Sequence, residues 1–133
     1  MKRVLVLCTG NSCRSIIGEA LINKFLDGVE AKSAGSNPKG LVNPNAIEVL
    51  KEIDAWDEIY YSKKIDDVIN EDFDLVITVC DNAKESCPMF PKKVKKIHES
   101  FEDPDGKDIE EFRKTRDLIK ERLLKRVKEE LNI

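Results

Sequence analysis

A cysteine, an arginine and a serine near the start of the chain are spaced so that they could bind and attack an oxyanion. Cys8 closes the apolar run VLVL, and Arg14 and Ser15 follow six and seven positions later. A loop between a buried strand and a helix N-terminus presents backbone N–H groups to an anion, and arginine adds a bidentate guanidinium. The same positive field is expected to stabilise the Cys8 thiolate, to which Ser15 can donate a hydrogen bond. Residues 8–15, here called the oxyanion loop, therefore predict a cysteine nucleophile beside a bound anion.

The predicted contacts to the anion come from the oxyanion loop itself. Gly10 permits unusual backbone angles, and Asn11 tolerates the left-handed conformation. We interpret Cys13 as a residue that fills space, since one nucleophile is sufficient. The full predicted binding set is Thr9, Gly10, Asn11, Ser12, Cys13, Arg14 and Ser15.

Two distant cysteines, Cys80 and Cys87, need a separate explanation. Six residues lie between them, which differs from the spacing of about two to four in a common zinc pair. The chain has one histidine, His98, so a four-ligand zinc site would have to use a cysteine of the oxyanion loop. No metal site is therefore predicted. Two inert buried thiols remain an alternative, because cysteine without a partner is often buried.

Length and charge limit the classes of partner. The chain has 133 residues and a net charge of −3, which gives no electrostatic reason to expect nucleic acid or a membrane surface as a partner. The first apolar run is too short for a signal peptide, and no run approaches the ~20 residues of a membrane span. We expect a cytoplasmic monomer with a single domain, residues 1–133, whose thiols are kept reduced.

Alternating strand and helix signals must position the reactive residues. Buried strands are predicted at 3–7, 31–36, 73–80 and 94–98. Helices are predicted after the oxyanion loop, after the cap Asn43, around 63–69 and from Asp108 onward. Residues 81–86 are also compatible with a short helix, one that can unwind. This alternation predicts an α/β fold with a doubly wound, four-stranded parallel sheet flanked by helices. Since ligands bind beyond the carboxyl ends of such strands, we expect Cys8 and Cys80 at one edge of the sheet.

The oxyanion loop resembles the signature of the low-molecular-weight protein tyrosine phosphatase fold. That signature is a cysteine at the end of the first strand, followed after five residues by Arg-Ser, as in CTGNSCRS. The family also carries an Asp-Pro pair after its fourth strand, whose aspartate is the general acid. Asp103-Pro104 matches this pair.

Further motifs resemble thioredoxin-coupled arsenate reductases, which share the phosphatase fold. The likeness is strongest at the three cysteine positions, Cys8, Cys80 and Cys87. It extends through SAG at 33–35, VNPNAIEVLKEID at 42–54 and DLVITVCDNAKESCP at 74–88. Asp105 replaces the aromatic residue usual after Asp-Pro in tyrosine phosphatases, which favours the reductase branch.

This resemblance implies a relay of three cysteines. Cys8 attacks arsenate held by the loop and Arg14, and Asp103 protonates the departing oxygen. Cys80 attacks Cys8, so that arsenite leaves and a Cys8–Cys80 disulfide remains. Cys87 then attacks Cys80, and thioredoxin reduces the resulting disulfide.

The resemblance implies no tightly bound cofactor, but it does imply a monovalent-cation site. Asn11, Glu19 and Ser33 match positions of that site. Lys63 stands where a further carboxylate is expected, so that its ammonium could substitute for the cation.

Two other functions stay open at this point. A phosphatase acting on phosphotyrosine or on a small phosphate ester would use Cys8, Arg14 and Asp103 without redox chemistry. Weak phosphatase activity could also accompany arsenate reduction, because phosphate and arsenate are nearly isosteric. A non-enzymatic anion sensor or cysteine phosphocarrier would use the loop, but it leaves Arg14, Cys80 and Cys87 without a shared role.

Overall fold

The computed structural model describes residues 1–81 and 87–133. Its strands are β1 (Lys2–Cys8), β2 (Val29–Gly35), β3 (Leu75–Thr78) and β4 (Lys96–His98). Its helices are α1 (Arg14–Phe25), α2 (Pro44–Lys51) and α3 (Ile109–Leu131). The helix predicted around 63–69 is only a 3₁₀ turn at Ile65–Asp67. Apart from its first residue, the helix predicted at 81–86 lies outside the described residues.

All four strands run parallel, in the order β2-β1-β3-β4. The chain therefore winds outward from β1 in both directions, which confirms the predicted fold class. β1 is an inner strand and is buried from Val4 to Cys8, as expected for a strand covered on both faces. In register, Cys8 lies opposite Gly35 of β2, and Leu7 lies opposite Thr78 of β3. The carboxyl ends of these three strands thus meet at one edge of the sheet.

The two faces of the sheet are covered by different parts of the chain. Val4 and Val6 of β1 join a large apolar cluster with residues of all three α-helices. The alternate β1 residues Leu5 and Leu7 join a smaller cluster that includes side chains of the connecting segments. Phe25, the last residue of α1, is 38% exposed.

The predicted helix starts are confirmed by their capping bonds. The Asn43 side chain accepts a hydrogen bond from the Asn45 amide at 2.8 Å, and Pro44 occupies the first position of α2. The Asp108 side chain accepts a hydrogen bond from the Glu111 amide at 3.2 Å at the start of α3. None of the helices in the described part of the chain has the length and apolar character needed to cross a bilayer.

Gly35, the last residue of β2, lies in close contact with the oxyanion loop. A Cβ added at Gly35 would lie 2.5 Å from the Thr9 carbonyl oxygen and 3.0 Å from Asn11 Cβ. Because backbone must move to relieve this overlap, we expect Gly35→Ala to lower the free energy of unfolding by about 1–3 kcal/mol in urea denaturation. Gly10→Ala is the matched control, since its added Cβ comes no closer than 3.4 Å to the flexible Lys39 side chain. Equal losses in both variants would contradict this assignment.

Candidate active site

A cavity of 210 Å³ opens at the carboxyl end of β1, a volume suited to a small anion rather than to a large ligand. Its lining residues are Cys8, Thr9, Gly10, Asn11, Ser12, Cys13, Arg14, Asn37, Lys39 and Asp103. The structure therefore brings together the predicted nucleophile, the predicted arginine and the predicted general acid. Of the predicted binding set, only Ser15 is not in the lining, and it is buried behind the loop.

The oxyanion loop is held through its carbonyl oxygens by the segment 37–43. The donors are the amides of Asn37, Lys39 and Asn43, and the acceptors are the carbonyl oxygens of Thr9, Gly10 and Ser12, each pair at 3.0 Å. In a trans peptide the N–H points opposite to the carbonyl. The amides of Gly10, Asn11 and Cys13 therefore point away from this segment, which is the arrangement that an anion-binding loop requires.

The N-terminus of α1 adds further donors. Its N-cap residue, Cys13, makes no side-chain capping bond to the described residues, so the first amides of α1 remain available to an anion. Asn11 has a φ of 45° and is the loop residue in the left-handed conformation. Gly10, whose residue type permits unusual backbone angles, is not among the glycines with positive φ in the described chain.

The Asn11 side chain braces the loop from the inside. Its Nδ2 donates to Ser15 Oγ at 2.8 Å and to Ser33 Oγ at 3.0 Å. Its Oδ1 accepts a hydrogen bond from the Lys63 amide at 2.9 Å. The Ser33 hydroxyl in turn donates to the Glu19 carboxylate at 2.5 Å. The residues predicted to surround a cation are thus joined in one buried network.

This network does not fit a bound cation, because the positive charge of Lys63 already acts on its one carboxylate, Glu19. Burial raises the pKa of Glu19 to about 7, while the charge of Lys63 and the hydrogen bond from Ser33 oppose that rise. Burial lowers the pKa of Lys63, and the charge of Glu19 opposes that change. Nor do three or more His, Cys, Asp or Glu side chains converge on a metal position anywhere in residues 1–81 and 87–133.

Arg14 connects the oxyanion loop to the predicted acid. Its buried guanidinium donates from Nη1 to the Phe101 carbonyl oxygen at 3.1 Å, and its Nη2 lies 3.5 Å from Asp103 Oδ2. The Asp103 side chain is 45% exposed while it lines the cavity. It therefore borders both the anion cavity and solvent.

An ion pair between Lys39 and Asp105 was missed at the level of sequence. The contact raises the pKa of Lys39 and lowers the pKa of Asp105. Asn43 Nδ2 adds a hydrogen bond of 3.0 Å to Asp105 Oδ1. These contacts tie the loop that carries Asp103 to the segment that holds the oxyanion loop. The one signal in the sequence was Asp105 itself, at the position where an aromatic residue was expected.

A disulfide joins Cys80 and Cys87, whose Cα atoms are 5.8 Å apart. Cys80 is fully buried in the same cluster as Cys8, and the partly exposed Cys87 packs against that cluster. Strict alternation along β3 would turn Cys80 toward the other face of the sheet. Because β3 ends at Thr78, the chain is able to turn Cys80 into the cluster of Cys8.

Cys8 and Cys13 are thiols. Burial raises the pKa of Cys13 to about 12, so this thiol is neutral near pH 7 and is a poor nucleophile. This supports the interpretation of Cys13 as a space-filling residue. The Ser15 hydroxyl accepts a hydrogen bond from Asn11, and its predicted bond to the Cys8 sulfur stays a prediction.

Comparison with known proteins agrees with this fold. The family model for low molecular weight phosphotyrosine protein phosphatase matches residues 3–132. The arsenate reductase of Staphylococcus aureus strain N315 is 44% identical over 120 residues, which cover 90% of this chain and 91% of that protein.

Solved structures show the same relationship. The arsenate reductase of Archaeoglobus fulgidus has a TM-score of 0.83 at 32% identity, over 93% of this chain and 98% of that one. The thioredoxin-dependent arsenate reductase of Corynebacterium glutamicum has a TM-score of 0.70 at 31% identity, over 96% of this chain and 62% of that one. The chain belongs to the low molecular weight phosphotyrosine protein phosphatase family, and within that family to the group that contains the arsenate reductases.

Proposed function

We propose that this protein reduces arsenate to arsenite through a relay of three cysteines. The observation that carries the proposal is a disulfide, Cys80–Cys87, in the same apolar cluster as Cys8, which is a thiol and lines the oxyanion cavity. A phosphatase needs the cavity but has no use for the disulfide. The 44% identity to an arsenate reductase supports the same choice.

In the first step, Cys8 Sγ attacks the arsenic atom of arsenate. An S–As bond forms and an As–O bond breaks, and Asp103 donates a proton so that the oxygen leaves as water. The loop amides and Arg14 hold the remaining oxygens and offset their charge. The 3.5 Å between Arg14 Nη2 and Asp103 Oδ2 supports this division of roles, since both groups face one cavity.

In the second step, the Cys80 thiolate attacks Cys8 Sγ. A Cys8–Cys80 disulfide forms and the S–As bond breaks, leaving its electron pair on arsenic. Arsenic passes from the +5 to the +3 state and leaves as arsenite, so the two cysteines lose the two electrons that arsenic gains. The burial of Cys80 in the cluster of Cys8 supports this step.

In the third step, Cys87 attacks Cys80 Sγ and releases Cys8 as a thiolate. The product is the Cys80–Cys87 disulfide, which includes the partly exposed Cys87. Cys8 is then reduced again and can attack a new anion. A thioredoxin-type dithiol then reduces this disulfide. The likeness to a thioredoxin-dependent arsenate reductase supports that reductant. We propose that the protein acts as a monomer with one domain in the cytoplasm, where such reductants keep thiols reduced.

Hydrolysis of a phosphate ester is a second candidate activity of the same cavity. The observation that favours it is Asp103, an acid that faces the anion site and could protonate a leaving alcohol. This reaction would use Cys8 and Arg14 and leave Cys80 and Cys87 idle. We propose it as a weak side activity.

Turnover by cysteine variants tests the relay. With thioredoxin, thioredoxin reductase and NADPH, we expect the wild type to form arsenite continuously and Cys87→Ser to stop after about one arsenite per chain, because its second disulfide cannot form. Cys80→Ser should release no arsenite. Cys13→Ser is the matched control and should turn over continuously. Continuous turnover by Cys80→Ser or Cys87→Ser would exclude the relay.

Asp103→Asn tests the general acid. The amide keeps the shape of the side chain but has no proton to give, so we expect the single-turnover rate of arsenite formation to fall about 10²–10⁴-fold. Binding of inorganic phosphate, followed by calorimetry, should be retained. An unchanged rate would show that the proton comes from another source.

Lys63→Gln tests whether the lysine stands in place of a cation. Because the pKa of Glu19 is raised to about 7, its carboxyl is neutral at pH 5 and charged at pH 8. The Lys63 ammonium therefore stabilises the fold mainly at the higher pH, and we expect the loss of Tm in Lys63→Gln to be larger at pH 8 than at pH 5. The exposed neighbour in Lys64→Gln should show no such difference. A wild-type Tm higher in potassium chloride than in choline chloride would show that the protein binds potassium, and would contradict the replacement of the cation by Lys63.

A further inference from the structure

The ion pair between Lys39 and Asp105 joins two segments that meet at the oxyanion cavity. Lys39 belongs to the segment 37–43 and lines the cavity. Asp105 belongs to residues 103–107, here called the acid loop, and follows Asp103 by two positions. Both side chains of the pair are partly exposed, at 50% for Lys39 and 36% for Asp105. The pair therefore lies at the rim of the cavity, close in the chain to the proposed general acid.

Hydrogen bonds within the acid loop fix the ion pair relative to the acid. The Asp105 amide donates to Asp103 Oδ1 at 3.0 Å. The Lys107 amide donates to the Pro104 carbonyl oxygen at 2.9 Å and closes a tight turn, in which Gly106 has a φ of 83°. The two aspartates are thus held next to each other at the rim.

Arg14 occupies the other side of Asp103. Its Nη1 donates to the Phe101 carbonyl oxygen at 3.1 Å, and its Nη2 lies 3.5 Å from Asp103 Oδ2. Behind this contact lies a separate cavity of 340 Å³, and within the described part of the chain the two cavities have only Asp103 as a common lining residue. A group attached to the anion next to Asp103 therefore has to pass the side where Lys39 and Asp105 are paired.

The oxygen that Asp103 protonates determines what must fit at this rim. In arsenate that oxygen leaves as water and needs little space. In a phosphate ester the same oxygen carries the organic group, so the organic group has to lie beside Asp103. An apolar group placed there removes water from the two charges of the ion pair, which costs free energy. The bridge between the two segments also limits the space for such a group.

We propose that the Lys39–Asp105 pair is a specificity determinant that favours a free oxyanion over a phosphate ester. The pair acts against the organic group of the ester, while the loop amides and Arg14 bind the anion that both substrates share. Specificity of this kind is a difference between two affinities, and it is achieved by disfavouring the wrong substrate. This inference deepens the proposed function and rests on it, because Asp103 protonates the leaving oxygen in both reactions.

Lys39→Met and Asp105→Asn test the pair, because each removes one charge and nearly keeps the size of the side chain. The prereduced variants are given either arsenate, with arsenite release followed in a single turnover, or para-nitrophenyl phosphate. We expect the second-order rate constant for the ester, divided by that for arsenate, to rise about 3–10-fold in both variants. A misplaced acid or a weaker attraction of anions lowers both rates and leaves this ratio unchanged. Lys95→Met is the matched control, since Lys95 is 53% exposed and is paired with Glu130, and it should keep the wild-type ratio.

A binding measurement separates this inference from the proposed function, because it involves no redox step. Calorimetry compares inorganic phosphate with phenylphosphonate, which carries an organic group on the same kind of anion. We expect the affinity for phenylphosphonate, relative to that for phosphate, to rise about 3–10-fold in both variants. Unchanged ratios in both variants, or an equal rise in Lys95→Met, would overturn the role of the pair. Failure of the wild type to release arsenite, together with the expected change in relative affinity, would contradict the proposed function alone.

Discussion

The anion cavity depends on the hydrogen bonds that hold the carbonyl oxygens of the oxyanion loop from outside. Three amides of the segment 37–43 bind these oxygens, and the opposite N–H groups are thereby directed to the other side. The Lys39–Asp105 ion pair couples this support to the loop that carries Asp103. These contacts together place the anion donors, the nucleophile Cys8 and the acid Asp103 in a single cavity.

The redox function depends on where β3 ends. In a longer regular strand, alternation would direct Cys80 to the face opposite Cys8, and the two thiols could not meet. The strand stops at Thr78, and Cys80 enters the cluster that contains Cys8 while its disulfide partner Cys87 remains partly exposed. This arrangement gives a buried site for arsenic chemistry and an accessible sulfur for a protein reductant.

The sequence was sufficient for the features that follow from local patterns. The strand before Cys8, the cap Asn43, the helix from Asp108 onward and the parallel sheet all follow from hydrophobic period and helix-start signals. The Lys39–Asp105 pair was missed because its partners are 66 positions apart and only the folded chain brings them together. Asn11 takes the left-handed conformation that its residue type tolerates, but its side-chain bonds to Ser15 and Ser33 were not predicted. Such non-local bonds have no periodic signal in the sequence.

The order in which the cysteines act is the central claim, and the disulfide formed after one turnover tests it most directly. Prereduced Cys87→Ser protein would be mixed with one equivalent of arsenate, then alkylated, digested and mapped by mass spectrometry. The relay predicts a Cys8–Cys80 disulfide, a mass loss of about two hydrogens per chain and one arsenite released. Arsenite release with Cys8 and Cys80 both alkylated, or with Cys8 joined to Cys13, would contradict the account.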